Sequence, residues 1–163
     1  MSRTNLFIVL AAVVLTVLGA FYYLGQKPVQ SASLRQPEAS DPIAGAALYA
    51  DNCSACHGAN LEGQENWQSP NEDGTLPAPP HDETGHTWHH GDALLFNYTK
   101  QGGEALLTQM GVTDVKSGMP AFGDQLSDAE IWDILAYIKS SWPDRTRDIQ
   151  QQRSQAEQMR NGG

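Results

Sequence analysis

Cys53-Ser54-Ala55-Cys56-His57 is the stretch from which the rest of the chain can be read, and it holds the only two cysteines of the 163 residues. With two residues between them, both thiols can fall on one side of a single helical turn, and the imidazole that follows is carried to the same place. This spacing suits thioether bonds from Cys53 and Cys56 to the two vinyl groups of a haem, with His57 beneath the ring as the proximal iron ligand. A dithiol redox pair would need a strand-helix-strand setting, and no β-branched strand flanks Cys53. A zinc site would need two more ligands, which only the distant histidines at 81 to 90 supply. A structural disulfide across so short a loop leaves His57 unexplained.

The length allows one domain plus extensions. The formal net charge is -9, and between Asp41 and Asp133 fifteen acidic residues face only Lys100 and Lys116. Such a surface repels nucleic acid and anionic lipid headgroups, so neutral or basic faces of other proteins are its natural partners. The same acid also serves solubility.

Residues 6–24 form an uncharged run of nineteen, long enough at helical rise to cross a hydrocarbon core of about 30 Å. Arg3 precedes it, which places the N-terminus in the cytoplasm and the remainder outside, with Tyr22 and Tyr23 at the outer interface. A cleaved signal peptide competes with an uncleaved anchor, but the run is long for one and Leu18 fits poorly three residues before a cut after Ala20. Residues 1–25 are therefore expected to be a transmembrane anchor. Residues 26–41, rich in Pro, Gln, Ser and Ala, read as a flexible linker with a reach of roughly 55 Å at about 3.5 Å per residue.

The domain proper is expected over 42–143. Pro42 after Asp41 suits a first helical turn, and a helix from there delivers Cys53. Gly45 and Tyr49 lie one turn apart on one side, where a glycine permits close approach of another helix. The partner is the helix that Ser127 and Glu130 open as a capping box, with Ile131, Ile134, Leu135 and Ile138 as its apolar stripe and Pro143 as its stop. Residues 58–75 read as a loop, and residues 76–80 as a rigid extended piece in which the carbonyl of Pro79 or Pro80 is suited to accept the Nδ1 proton of His57. Asp92 is expected to cap a helix through Gln101, with Leu94, Leu95 and Tyr98 facing inward. The final residues, 144–163, form a polar tail, either a solvated helix or disordered, with no function assigned.

In Ser117-Gly118-Met119-Pro120-Ala121-Phe122, the proline biases Met119 away from helical geometry, so that its thioether projects from an extended loop as a distal iron ligand would. The alternative is a gap-filling core methionine, which is how Met110 reads. His81, His86, His89 and His90 cluster around Trp88. They read as exposed loop residues, as partners of a haem propionate (a role open to the Trp88 indole N–H as well), or as ligands replacing Met119 or holding a divalent metal.

On the attachment motif, the Met119-Pro120 loop and the terminal helices, residues 41–142 resemble the class I c-type cytochromes, of the membrane-anchored monohaem type. The resemblance implies an all-α fold: a small cytochrome c-like helical domain around one covalent haem c, preceded here by one N-terminal transmembrane helix, with the first and last helices crossing near Gly45 and Tyr49. It also implies attachment at Cys53 and Cys56, axial ligation by His57 and Met119, and one-electron transfer rather than enzymatic catalysis. The partners implied are membrane redox complexes, namely a quinol-oxidising complex and a terminal oxidase or photosynthetic reaction centre, met on the periplasmic side of a bacterial cytoplasmic membrane. The histidine-rich segment departs from the family pattern. It keeps two alternatives open, a haem-based catalytic or gas-sensing protein with a displaceable sixth ligand and a metal-handling protein.

Overall fold

Asp41 opens the first helix by accepting hydrogen bonds from the backbone N–H groups of Ile43 and Ala44, with Pro42 filling the first helical position, which has no N–H to satisfy. The computed structural model describes residues 34–161. In chain order these form α1 (Pro42–Asn52), the single turn α2 (Ser54–His57), β1 (Thr75–Leu76), a 3-10 turn (Thr87–His89), α3 (Asp92–Gln101), α4 (Gly103–Gln109), β2 (Lys116–Ser117), α5 (Asp128–Ser140) and α6 (Asp144–Asn161). Among the described residues the expected helical fold is interrupted by a single two-residue parallel ladder pairing Thr75 with Lys116 and Leu76 with Ser117. Among the described residues no helix is long and apolar enough to cross a membrane. The span expected at residues 6–24 lies outside them.

Helices α1 and α5 cross at Gly45. A Cβ at that position would sit 1.9 Å from the carbonyl oxygen of Asp133, so the two backbones touch where only glycine fits. The Asp133 carboxylate also accepts the backbone N–H of Asp41, at 2.7 Å. The capping box of Ser127 and Glu130 is formed in full. Behind the crossing, the stripe Ile131, Ile134, Leu135 and Ile138 is buried with Tyr49 and Trp142, and Phe96 of α3 stacks on Trp132 at 4.5 Å.

Helix α3 departs from its sequence reading in two ways. Its buried positions are Asp92, Ala93, Leu95, Phe96 and Thr99, whereas Leu94 and Tyr98 are only partly covered. The helix is covered by α5 on one side and α6 on the other, so its buried arc is broader than one stripe. Nor is Asp92 the cap: Gly91 occupies that position and offers no side chain. The orphan donors are satisfied by α6 instead. Ser154 Oγ accepts the N–H of Asp92 at 3.0 Å, and the Glu157 carboxylate accepts those of Ala93 and Leu94 at 3.0 and 3.1 Å.

This frees the Asp92 carboxylate to act as a hub. It receives Lys139 of α5 at 2.5 Å, Gln150 and Ser154 of α6 at 2.8 and 2.9 Å, and the backbone N–H of Gln36 at 2.9 Å. The polar C-terminal segment is thus a helix fastened to the domain through its buried Gln150 and Ser154, and residues 34–41 of the expected linker lie against the domain as well, with Leu34 packed on the core. Met110, expected in the core, is 55 % exposed at the end of α4, where the chain turns away at Gly111.

Two outcomes follow for the holoprotein. Gly45→Ala must push α1 off α5 and should destabilise it by at least about 2 kcal/mol, at the upper part of the overpacking range, read from thermal denaturation. The second concerns Asp92: burial alone would raise its pKa, but Lys139 and the N–H donors outweigh this and hold it below the ordinary value of 3.8. A depressed carboxylate contributes stability above its unfolded pKa and loses it as pH falls through the folded value. Asp92→Asn should therefore cost on the order of 3 kcal/mol at pH 7 by leaving Lys139 unpaired. The cost should shrink below about pH 4, measured as the difference in unfolding free energy between variant and parent across that range.

Candidate functional site

The C-terminal end of α1 delivers the motif. The Cys53 N–H closes on the Tyr49 carbonyl at 2.8 Å, and the next turn, α2, brings Cys56 and His57 round so that the N–H of His57 meets the Cys53 carbonyl at 2.9 Å. Cys53 is buried and Cys56 exposed, and neither is in a disulfide. Burial pushes the Cys53 thiol up to about 11, with Cys56 adding to the shift, so its sulfur is neutral at physiological pH. Tyr49 fixes the end of this turn by donating its hydroxyl to the Gly58 carbonyl at 3.1 Å.

His57 is 7 % exposed, and its Nδ1 lies 2.9 Å from the carbonyl oxygen of Pro79. A carbonyl can only accept, so Nδ1 carries the proton and Nε2 presents its lone pair. Burial lowers the pKa of His57, opposed by that hydrogen bond, and this favours the neutral ring that a metal needs. Among the described residues Nε2 has no hydrogen-bond partner. Of the two prolines singled out, Pro79 faces His57, and the carbonyl of Pro80 faces Thr87 Oγ1 at 3.4 Å.

Met119 lies half-buried against the core on a loop stitched to the end of α3 and the start of α4. Its carbonyl accepts the Gly103 N–H at 3.0 Å, its own N–H reaches Ser117 Oγ at 3.3 Å, and the N–H groups of Phe122 and Gly123 bond the carbonyls of Thr99 and Lys100. Gly102 makes this contact possible: its φ of +84° is left-handed, and a Cβ there would sit 2.9 Å from the Ala121 nitrogen. The donor set suits a haem c, with two unpaired thiols in one turn, an imidazole whose far nitrogen is fixed and near nitrogen free, and a thioether on a separate, anchored loop.

The histidine cluster divides, with His81 leaving it while His86 and His90 stay in ring contact. His81 turns inward and is not an exposed loop residue: its ring stacks on that of His57 at 4.0 Å, with Nδ1 3.0 Å from Thr87 Oγ1. His86 stacks on Trp67 at 5.2 Å and meets His90 edge-on at 5.4 Å, and His89 stacks on Trp88 at 3.7 Å. Burial, together with His86, His89 and Arg153 nearby, lowers the pKa of His90 to about 4. No three His, Cys, Asp or Glu side chains among the described residues group as a metal site. The Trp88 indole N–H donates to the Glu83 carbonyl at 3.2 Å. Sequence reasoning missed the inward turn of His81; the proline pair that immediately precedes it, and directs the chain past His57, was the available signal.

Comparison with known proteins identifies the family. The family model described as cytochrome c matches residues 43–142. A curated relative, cytochrome c6 of Picosynechococcus sp., is 35% identical over 134 residues, covering 79% of this chain and 90% of its own. No solved structure gives a significant match. One covalently attached haem c and an electron-carrying rather than enzymatic role go with that relationship. The chain belongs to the cytochrome c family.

Proposed function

We propose that this monohaem carrier holds its haem through thioethers at Cys53 and Cys56 and through His57 and Met119 on the iron, and that it passes single electrons between membrane redox complexes. The observation that carries the proposal is the hydrogen bond from His57 Nδ1 to the Pro79 carbonyl, which fixes the tautomer and leaves one nitrogen for a metal one residue beyond the second thiol. When bound, the haem supplies a one-electron ferric/ferrous couple. The Pro79 carbonyl holds the His57 ring in place and raises its basicity, and the ties from Gly103, Ser117 and Thr99 hold the Met119 loop. With His57 and Met119 both on the iron, no position would be left for a substrate, and the Met119 thioether would favour the reduced state.

The acidic surface favours docking on basic faces, weakly enough for turnover and sensitive to ionic strength. In this proposal the donor is a quinol-oxidising complex and the acceptor a terminal oxidase or a photosynthetic reaction centre, on the periplasmic side of a bacterial cytoplasmic membrane, with residues 6–24 as the anchor. The similarity to a cytochrome c6 supports the carrier role.

The oxidised protein should show the weak near-red absorption band of a sulfur-to-iron charge transfer, and Met119→Ala should abolish it. Its persistence in the folded, haem-loaded variant would show that another residue supplies the distal ligand.

A further inference from the structure

We propose that His81 is a positioning residue for the His57 imidazole, and that its ring, lying flat against that of His57, biases the site toward the oxidised state. The inference rests on the reading of His57 as the axial ligand. The ring centroids are 4.0 Å apart with 28° between the planes. A hydrogen bond at Nδ1 fixes one point of the His57 ring and leaves its plane free to swing about that point. A second ring stacked on its face removes that freedom.

His81 is itself held from several directions, as a residue that orients another must be. Its backbone N–H donates to the Leu61 carbonyl at 2.8 Å, and its carbonyl accepts the indole N–H of the buried Trp142 at 2.7 Å. Thr87 Oγ1 donates to the Pro80 carbonyl and so takes the Nδ1 proton of His81 at 3.0 Å. The Tyr49 ring meets it edge-on at 6.1 Å. One stiff segment therefore supplies both restraints: the carbonyl of Pro79 holds one end of the His57 ring, and the side chain two residues later covers its face.

The sign of the electronic effect follows from chemistry. With the haem bound, oxidation would add one positive charge, part of which would spread onto the His57 imidazole. With its Nδ1–H held by Thr87, one face on the His57 ring and Tyr49 edge-on beside it, the His81 ring presents a π face that attracts that charge where a hydrocarbon side chain would not. His81 thus lowers the potential relative to an apolar neighbour.

The test uses the full-length holoprotein. His81→Leu should raise the midpoint potential, shifting the ferric/ferrous equilibrium severalfold and up to about tenfold, where tenfold is about 59 mV for one electron. Thr87→Val is close in shape, leaves His81 in place and frees its ring, so it carries the test should His81→Leu fail to fold. It should change the ferric electron paramagnetic resonance g-values, which report the plane of the ligand ring. Folded, haem-loaded variants with potential and g-values equal to the parent's would overturn the proposal. His57→Gly with added imidazole separates this failure from failure of the ligand reading. Recovery of the parent's low-spin ferric spectrum alongside unmoved His81 and Thr87 variants removes this inference alone, whereas no recovery removes the ligation of His57 and the inference with it.

Discussion

Contact between two backbones at Gly45 is the constraint on which the other positions depend. Helix α1 can lie against α5 only because residue 45 lacks a Cβ, and this fixes the line along which α1 runs toward the motif. Cys53 is eight residues further on, about 12 Å at helical rise, so a small error in the crossing would be carried directly to the thiols. Tyr49, midway, converts the crossing into a local restraint by packing inward and binding the Gly58 carbonyl just past His57. The ligand-bearing turn is therefore positioned by helix packing, although it lies in a stretch whose own sequence is small and polar.

The opposite side of the domain is held by polar contacts. Helix α6 has almost no apolar face, yet it docks by supplying Ser154 and Glu157 to the uncapped start of α3 and Gln150 to the Asp92 carboxylate. A buried pair such as Asp92 with Lys139 contributes little net stability against an apolar replacement but specifies one arrangement, because any other leaves a charge unpaired. The hub ties α3, α5, α6 and the segment at Gln36 together at one buried carboxylate. An electron carrier gains from this, since geometry that does not change between oxidation states keeps reorganisation small.

How much of this could be read beforehand followed the range of each signal. The turn carrying Cys56 and His57, the Pro42 start, the Ser127 and Glu130 capping box and the Gly45 approach are local codes in which residue type and spacing specify the geometry, and these elements are found in place. A carbonyl from Pro79 or Pro80 could be foreseen because a stiff proline segment has few ways past a histidine, but only the structure chooses Pro79. Asp92 could not: in sequence it has the form of an N-cap, and only the approach of Ser154 and Glu157, more than sixty residues away, releases it for another use. The docking of α6 had no hydropathy signature, because its contacts are amide, hydroxyl and carboxylate groups at 150, 154 and 157. The histidines were read as one cluster because they are neighbours in the chain, whereas His81 leaves to stack on His57, and of the others His86 stacks on Trp67 and His89 on Trp88, with His86 and His90 still in contact.

The claim beneath all of this is covalent: one porphyrin joined to the chain by two sulfurs. Intact-mass spectrometry of the protein, made in a host competent for haem attachment and stripped with acidified acetone, tests it most directly. The expected result is the polypeptide mass plus one haem, with the added mass confined to the peptide that contains Cys53 and Cys56. A colourless protein of unmodified mass with two alkylatable thiols would contradict it.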